Sequence, residues 1–191
     1  MNDQIRQKFR TQRAELTTET FNKMSSAIAE NVKNSDEFKN AKRVGFYHSV
    51  RGEADPSSLQ SDDKQFYLPV LSKNKDEGLV FIELNQETQF ENNKFAIPEP
   101  IYDEDKIVAG SSLDLVLVPL LGFDNQGHRL GMGGGFYDRC FAFKKQSNTK
   151  PILMGYAYDF QEVDRLKPES WDVDLDLIAT ESGLISPNQP D

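Results

Sequence analysis

The sequence predicts a single α/β domain: a mostly parallel sheet flanked by helices. Three observations point there. Residues 113–119, Leu-Asp-Leu-Val-Leu-Val-Pro, are apolar nearly throughout, as expected of a strand covered on both faces of a sheet. Short apolar runs of this kind alternate with helical segments along the chain, the pattern of a parallel sheet with crossover helices. The length, 191 residues with 37% hydrophobic and 28% charged, suffices for one core and is short for two.

Residues 3–16 are predicted as a first helix, because Ile5, Phe9 and Leu16 share a face at helical spacing. Arg6, Arg10 and Arg13 follow i, i+4, i+7 and form a second, basic stripe on it, either a solvated helix face or, in so acidic a chain, a phosphate or carboxylate contact. Thr17 or Thr18 caps a second helix whose apolar positions are Phe21, Met24, Ile28 and Val32. It ends at residues 34–36, before a short turn around Phe38. Residues 44–48 read as the first strand, and 51–57 as a loop and helix cap. Residues 66–71 form a second strand, with Pro69 marking its edge or its end. Residues 79–84 alternate as another strand, and the polar, proline-bearing stretch 92–105 is expected to be a surface loop. After the buried strand come a glycine-rich loop and a helix from Gly135 to about Lys145. Residues 152–157 are a further buried strand, 161–166 a short helix and 175–180 a closing strand. Residues 1–191 make one domain, with 186–191 a loose tail.

Lys plus Arg number 22 against 31 Asp plus Glu, a formal net charge of -9. So acidic a chain argues against nucleic acid or an anionic membrane as partner, since both want a basic surface. No apolar run approaches the ~20 residues of a spanning helix, and the first residues lack the apolar core of a secretory signal. A single cysteine, Cys140, leaves no internal disulfide and fits a reducing compartment. The expectation is a cytoplasmic monomer acting on small molecules.

Within this acidic background, chemistry concentrates at residues 127–139, Gly-His-Arg-Leu-Gly-Met-Gly-Gly-Gly-Phe-Tyr-Asp-Arg. Five glycines fall there between a buried strand and a helix. Such a loop exposes backbone N–H groups beside a helix N-terminus, where a phosphate settles. Arg129 is placed to make a bidentate contact to that phosphate, and Asp138 to hold the Mg²⁺ that accompanies a nucleotide. The segment matches neither GxxxxGK[ST] nor GxGxxG. Glu53 follows the first strand, on the side where open α/β sheets bind ligands. It can accept hydrogen bonds from a ring N–H or an amino group; by itself a solvated loop residue is the plainer reading, and His48 is equally ambiguous. Asp172, Asp174 and Asp176 alternate along an extended segment, so they either converge on a cation or line a solvated edge.

Taken together and in order, these segments resemble the 5-formyltetrahydrofolate cyclo-ligase family over almost the whole chain. The Arg-Leu-Gly-x-Gly-x-Gly-[Phe/Tyr]-Tyr-Asp-Arg string beginning at Arg129 is the most specific part of the likeness. It is accompanied by Gly45-Phe-Tyr-His-Ser with Glu53, by Ile97-Pro-Glu-Pro and by the closing Trp171-Asp-Val-Asp-Leu-Asp. The resemblance implies a Rossmann-like sheet related to the sugar-phosphate isomerase and CoA-transferase group. It implies ATP-driven closure of 5-formyltetrahydrofolate to 5,10-methenyltetrahydrofolate, through a phosphorylated formyl intermediate, with Mg²⁺ present.

Position by position, the resemblance puts Arg6, Arg129, Leu130, Gly131, Met132, Gly133, Gly134, Gly135, Phe136 and Tyr137 on ATP. It makes Arg129 and Tyr137 the catalytic residues. Met132 to Phe136 also border the folate, together with His48 and Glu53, and Asp138 and Asp172 match the Mg²⁺ ligands. Asn2 stands where the family's N-terminal Lys-x-x-x-Arg has its lysine, and Pro56 where a threonine is frequent. Met132 and Gly134 are neutral where some members are basic. A folate- or nucleotide-binding paralogue without turnover, and a sugar-phosphate isomerase on the same fold, are the competing readings.

Overall fold

A computed structural model describes residues 2–146 and 150–187. The chain opens with two helices, α1 (Asn2–Ala14) and α2 (Thr18–Asn34), and a short α3 (Asp36–Asn40). Of the two candidate caps for α2, Thr17 is the one used: its hydroxyl accepts the N–H of Thr20 at 3.2 Å. Ser35 serves two helices at once. Its hydroxyl donates to the Val32 carbonyl at 2.7 Å and accepts the N–H of Phe38 at 3.1 Å, so one residue ends α2 and starts α3.

The sheet begins with β1 (Arg43–Gly45), β2 (Gln65–Leu71) and β3 (Leu79–Glu83), and continues through β6 (Leu115–Pro119), β9 (Ile152–Tyr156), β10 (Leu177–Thr180) and β11 (Gly183–Ile185). Two small hairpins lie outside it, β4 (Phe90–Asn92) with β5 (Pro98–Pro100) and β7 (Gly122–Phe123) with β8 (Arg129–Leu130). The seven-stranded order is β11-β10-β9-β6-β1-β2-β3. Neighbours from β10 to β2 are parallel, and β11 and β3 close the two edges antiparallel. The mostly parallel sheet expected from the sequence is therefore present. Along β6, Leu115 and Leu117 enter one core layer and Val116 and Val118 the other, all at most 1% exposed. The first layer packs beneath α2 and the second carries Phe141, just past the helix α4 (Phe136–Cys140).

Several expectations are corrected. Pro69 lies in the middle of β2, a strand with β1 on one side and β3 on the other, rather than at its edge or its end. The N–H of Leu84 bonds to Phe66, so the alternate pair Pro69↔Phe81 makes no ladder bond and the proline nitrogen faces β1. But β1 has already ended opposite Tyr67, so no donor is missed. The stretch 92–105 contains part of the β4–β5 hairpin rather than being loop throughout. The helix expected over 135–145 is only α4, followed by a 3₁₀ turn, Ala142–Lys145. The helix expected at 161–166 is a single 3₁₀ turn, Asp159–Gln161. There the N–H of Leu166 goes to the buried carboxylate of Asp124 at 2.8 Å instead of to a helical carbonyl. The expected tail reaches beyond Pro187, and residues 188–191 lie outside those described.

Where the central strands start, Asp114 ties them together. Its Oδ2 accepts the backbone N–H of Lys42 and of Arg43, each at 2.9 Å, and its Oδ1 meets Lys150 Nζ at 2.5 Å. Partial burial by itself would raise this carboxyl, but the lysine and the two amides outweigh it and hold it at about 2. Because that lies below the ordinary 3.8, Asp114 contributes stability above about pH 4 that is lost as the pH falls towards 2. Asp114→Asn is expected to cost about 2 kcal/mol at neutral pH and almost nothing near pH 2. Urea unfolding midpoints at the two pH values check this, and an equal loss at both would show that ionisation of Asp114 contributes nothing.

Candidate active site

The chain runs from β1 outward to β2 on one side, then returns to lay down β6, β9 and β10 on the other. The reversal falls between β1 and β6, and open α/β sheets bind ligands beyond the carboxyl ends of strands at such a point. A cleft of ≈ 850 Å³ lies there. Its walls come from α1, from residues 47–53 after β1, from residues 119–121 after β6, from the glycine segment, from the β4–β5 hairpin and from residues 166–172. All the site residues proposed from sequence line it: Arg6, His48, Glu53, residues 129–138 and Asp172.

At its floor, Arg13 extends from α1 into the core and is only 4% exposed. One terminal nitrogen donates to the carbonyl of Leu120, and the other stands 3.7 Å from Glu53 Oε1. Glu53 is itself 8% exposed, and its Oε2 accepts the N–H of Val50 at 3.2 Å. Burial pushes the Glu53 carboxyl up, opposed by the Arg13 charge and the Val50 amide. Tyr47, one strand-end residue away, donates to the Ala54 carbonyl at 2.7 Å and so fixes the turn that carries Glu53. The plain reading of Glu53 as a solvated loop residue does not hold. His48 packs edge-on against Phe90 with ring centroids 5.3 Å apart, and its Nε2 is buried with no hydrogen-bond partner. Burial pushes its pKa down, only partly offset by Asp55, so the ring is neutral at physiological pH.

In the glycine segment, Arg6 Nε donates to the Gly131 carbonyl at 3.0 Å, tying α1 to the loop. Gly133 and Gly135 hold φ of +95° and +61°, which glycine adopts without strain. Gly135 is the residue that turns the loop into α4. That helix has five residues, so its macrodipole is small, and affinity for an anion rests on the loop amides and the arginines. Arg129 is more engaged than a free phosphate clamp. Its terminal nitrogens donate to Asp138 Oδ1 at 2.5 Å and to the Val173 carbonyl. Two of its five N–H groups are thus occupied and three remain. Asp138 Oδ1 also accepts the Val173 N–H at 3.1 Å, so this pair joins the loop to the segment after residue 172. Tyr137 stacks on Phe141, and burial pushes its hydroxyl pKa up, followed by the nearby Glu53 charge, which keeps it a donor. On the outer side, the 72–78 turn between β2 and β3 presses against α4. A Cβ on Gly78, at φ +72°, would lie 2.3 Å from the Phe136 carbonyl oxygen.

The alternating acids 172, 174 and 176 do not converge. Val173 and Leu175 point into the core between them, and Asp176 instead accepts the Leu153 N–H at 2.7 Å and meets Lys144 at 3.0 Å. Among the described residues no group of three or more His, Cys, Asp or Glu side chains forms a metal cage. Asp138 and Asp172 share the cleft wall, and a nucleotide-borne Mg²⁺ asks for only one or two carboxylates, with phosphates and water completing its shell. The residues present fit that arrangement.

Arg13, read from sequence only as part of a stripe that is either solvated or a phosphate or carboxylate contact, meets the carboxylate of Glu53 from a buried position. Two further contributors were missed. The β4–β5 hairpin sets Phe95 against Phe136, centroids 6.0 Å apart, across the cleft mouth. Trp171, 63% exposed, lines the same cleft. The signals available were the aromatic residues at 90, 95 and 171; nothing local marks Arg13 as buried.

Arg13→Met leaves the Glu53 carboxylate buried without its cation and is expected to cost about 3–5 kcal/mol. Adding Glu53→Gln is expected to restore at least about 1 kcal/mol of it. Denaturant midpoints of the two single variants and the double variant check the coupling, and strict additivity would deny it.

The model of the 5-formyltetrahydrofolate cyclo-ligase family matches residues 1–181. The 5-formyltetrahydrofolate cyclo-ligase of Haemophilus influenzae is 36% identical over 183 residues, 92% of this chain and 97% of its own. That of Escherichia coli K12 is 34% identical over 177 residues, 91% of this chain and 96% of its own. The NMR structure of Aquifex aeolicus 5,10-methenyltetrahydrofolate synthetase matches with a TM-score of 0.81 at 29% identity, covering 100% of this chain and 94% of that one. The 5,10-methenyltetrahydrofolate synthetase of Mycoplasma pneumoniae, at 24% identity and a TM-score of 0.72, shares the fold. With the fold, the cleft and near-complete matches in agreement, the chain belongs to the 5-formyltetrahydrofolate cyclo-ligase family.

Proposed function

We propose that this cyclo-ligase closes 5-formyltetrahydrofolate to 5,10-methenyltetrahydrofolate with ATP, releasing ADP and phosphate, and that both substrates meet in the cleft at the switch point. The observation that carries the reading is the convergence of a buried carboxylate, Glu53, and the glycine loop on one ≈ 850 Å³ cleft. A ring system needs the first and a polyphosphate needs the second.

In this reading Glu53 accepts hydrogen bonds from the pterin N–H and amino groups, and the neutral His48 offers its unpartnered Nε2 beside it. The residues 132–136 border both ligands. The formyl oxygen attacks the γ-phosphate, the bond to the β-phosphate oxygen breaks, and ADP leaves. N10 then attacks the resulting imidate carbon, phosphate departs and N10 loses its proton. Such a transfer asks for positioning and charge neutralisation rather than a side-chain nucleophile. The backbone amides of 131–135, the remaining N–H groups of Arg129 and the guanidinium of Arg6 supply that neutralisation. Tyr137, kept protonated by its burial, supplies a further donor. Asp138 and Asp172 hold Mg²⁺, which when bound neutralises phosphate charge.

Mixing the protein with 5-formyltetrahydrofolate, ATP and Mg²⁺ is expected to raise the near-ultraviolet absorbance of methenyltetrahydrofolate, with no rise when any one component is withheld. A mixture that stays flat when complete sinks the enzyme reading. Asp138→Asn retains an acceptor for Val173 but loses the carboxylate charge. It is expected to raise the Mg²⁺ concentration needed for half-maximal turnover at least about tenfold, since a hard cation prefers a charged oxygen ligand. An unchanged Mg²⁺ titration, with the variant folded by circular dichroism, would remove Asp138 from the metal assignment.

A further inference from the structure

The segment 166–172 carries an aromatic side chain that neither the fold nor the proposed chemistry uses. Trp171 is the chain's single tryptophan and is 63% exposed, while lining the cleft. Its backbone is held on both sides. Lys145 Nζ donates to the Ser170 carbonyl at 2.5 Å and to the Asp172 carbonyl at 2.8 Å. Asp172 Oδ2 accepts the Glu169 N–H at 2.9 Å, and the next amide, Val173, is fixed on Asp138. Among the described residues the indole makes no ring-stacking or cation–π contact, although eight other aromatic pairs form. A large apolar face on an anchored backbone, turned to solvent inside a cleft, is surface left for a ligand to cover.

Position decides which ligand. Other aromatic rings at the cleft already have partners, His48 on Phe90 and Phe95 on Phe136. Trp171 stands instead beside Asp172, whose Cα is about 3.8 Å from its own. With the proposed phosphate and metal positions at 131–135 and Asp172, Trp171 is the exposed ring on the nucleotide side of the same cleft. Lys167 and Arg6 line the same cleft and keep the local charge favourable to a phosphate chain in an otherwise acidic protein. Bases stack on indoles through a π-face that every base has, and the larger purine face covers more of the ring.

We propose that Trp171 is the base platform of the nucleotide site, stacking the purine of ATP while the glycine loop takes its phosphates. This rests on the reading of the cleft as an ATP site. The base is then recognised by stacking rather than by a hydrogen-bond code, so GTP substitutes for ATP better than CTP or UTP does.

Intrinsic fluorescence reports Trp171 alone, since there is no second tryptophan. Titrating MgATP into the protein is expected to quench or shift that emission saturably, whereas Mg-tripolyphosphate binds without the change. Trp171→Ala is expected to raise KM for ATP by about 5- to 100-fold and to narrow the preference for ATP over CTP to within about threefold. Trp171→Phe is expected to restore most of both. If MgATP binds by calorimetry and supports turnover, yet the emission does not move and Trp171→Ala keeps its KM and base preference, the platform is wrong and the ATP site stands. If 5-formyltetrahydrofolate rather than MgATP changes the emission, the indole belongs to the folate side and the proposal falls. Absence of any MgATP binding by calorimetry would instead overturn the underlying reading.

Discussion

The site is organised around one buried guanidinium. Arg13 comes from the first helix, yet it is spent on the carbonyl after β6 and the carboxylate after β1, the two strand ends that create the cleft. A charge at 4% exposure is expensive to bury, and burial duly lowers its pKa against the pull of Glu53. What it secures is registry. It places α1 across the switch point, which lets Arg6, two turns earlier, reach the Gly131 carbonyl. Without that helix the cleft would lack one wall and the glycine segment its tether.

A second polar junction does similar work on the opposite side. Arg129, Asp138 and Val173 join the loop, α4 and the segment before β10 through three hydrogen bonds. The proposed reaction would use Arg129 and Asp138 for phosphate and metal, so their structural and proposed chemical uses overlap. The pair orients Asp138 and leaves part of its hydrogen-bonding capacity for a ligand. Between the two junctions Glu53 is 8% exposed, near the buried Tyr47 and the partly buried Tyr137. The low dielectric there raises its carboxyl and strengthens every contact it makes.

Much of this was legible in the sequence because it is local. A run such as Leu115–Pro119 has to be covered on both faces, and its position ahead of the glycines puts the loop at a strand's carboxyl end. The last strand and the Thr17 cap follow from equally local rules. The β4–β5 hairpin was not legible, since Phe90–Asn92 is exposed throughout and carries no alternation. The helix after Gly135 was overestimated because nothing local marks Phe141 as its end. Pro69 misled because the rule against central prolines depends on a neighbour, and here the neighbouring strand is three residues long. Burial of Arg13 depends on what folds over it, and residue spacing on a helix does not contain that.

The close approach of Gly78 to α4 has a consequence for how the protein tolerates change. Turns at a sheet edge normally accept inserted residues, peptide tags or grafted loops at little cost. This one abuts the carbonyl of Phe136 with no room for a single methyl group. A lengthened 72–78 turn would displace the start of α4, and with it the residues next to the glycine loop. An apparently dispensable surface turn is therefore closed to grafting, and permissive positions for labels must be sought at the opposite edge of the sheet, around β11.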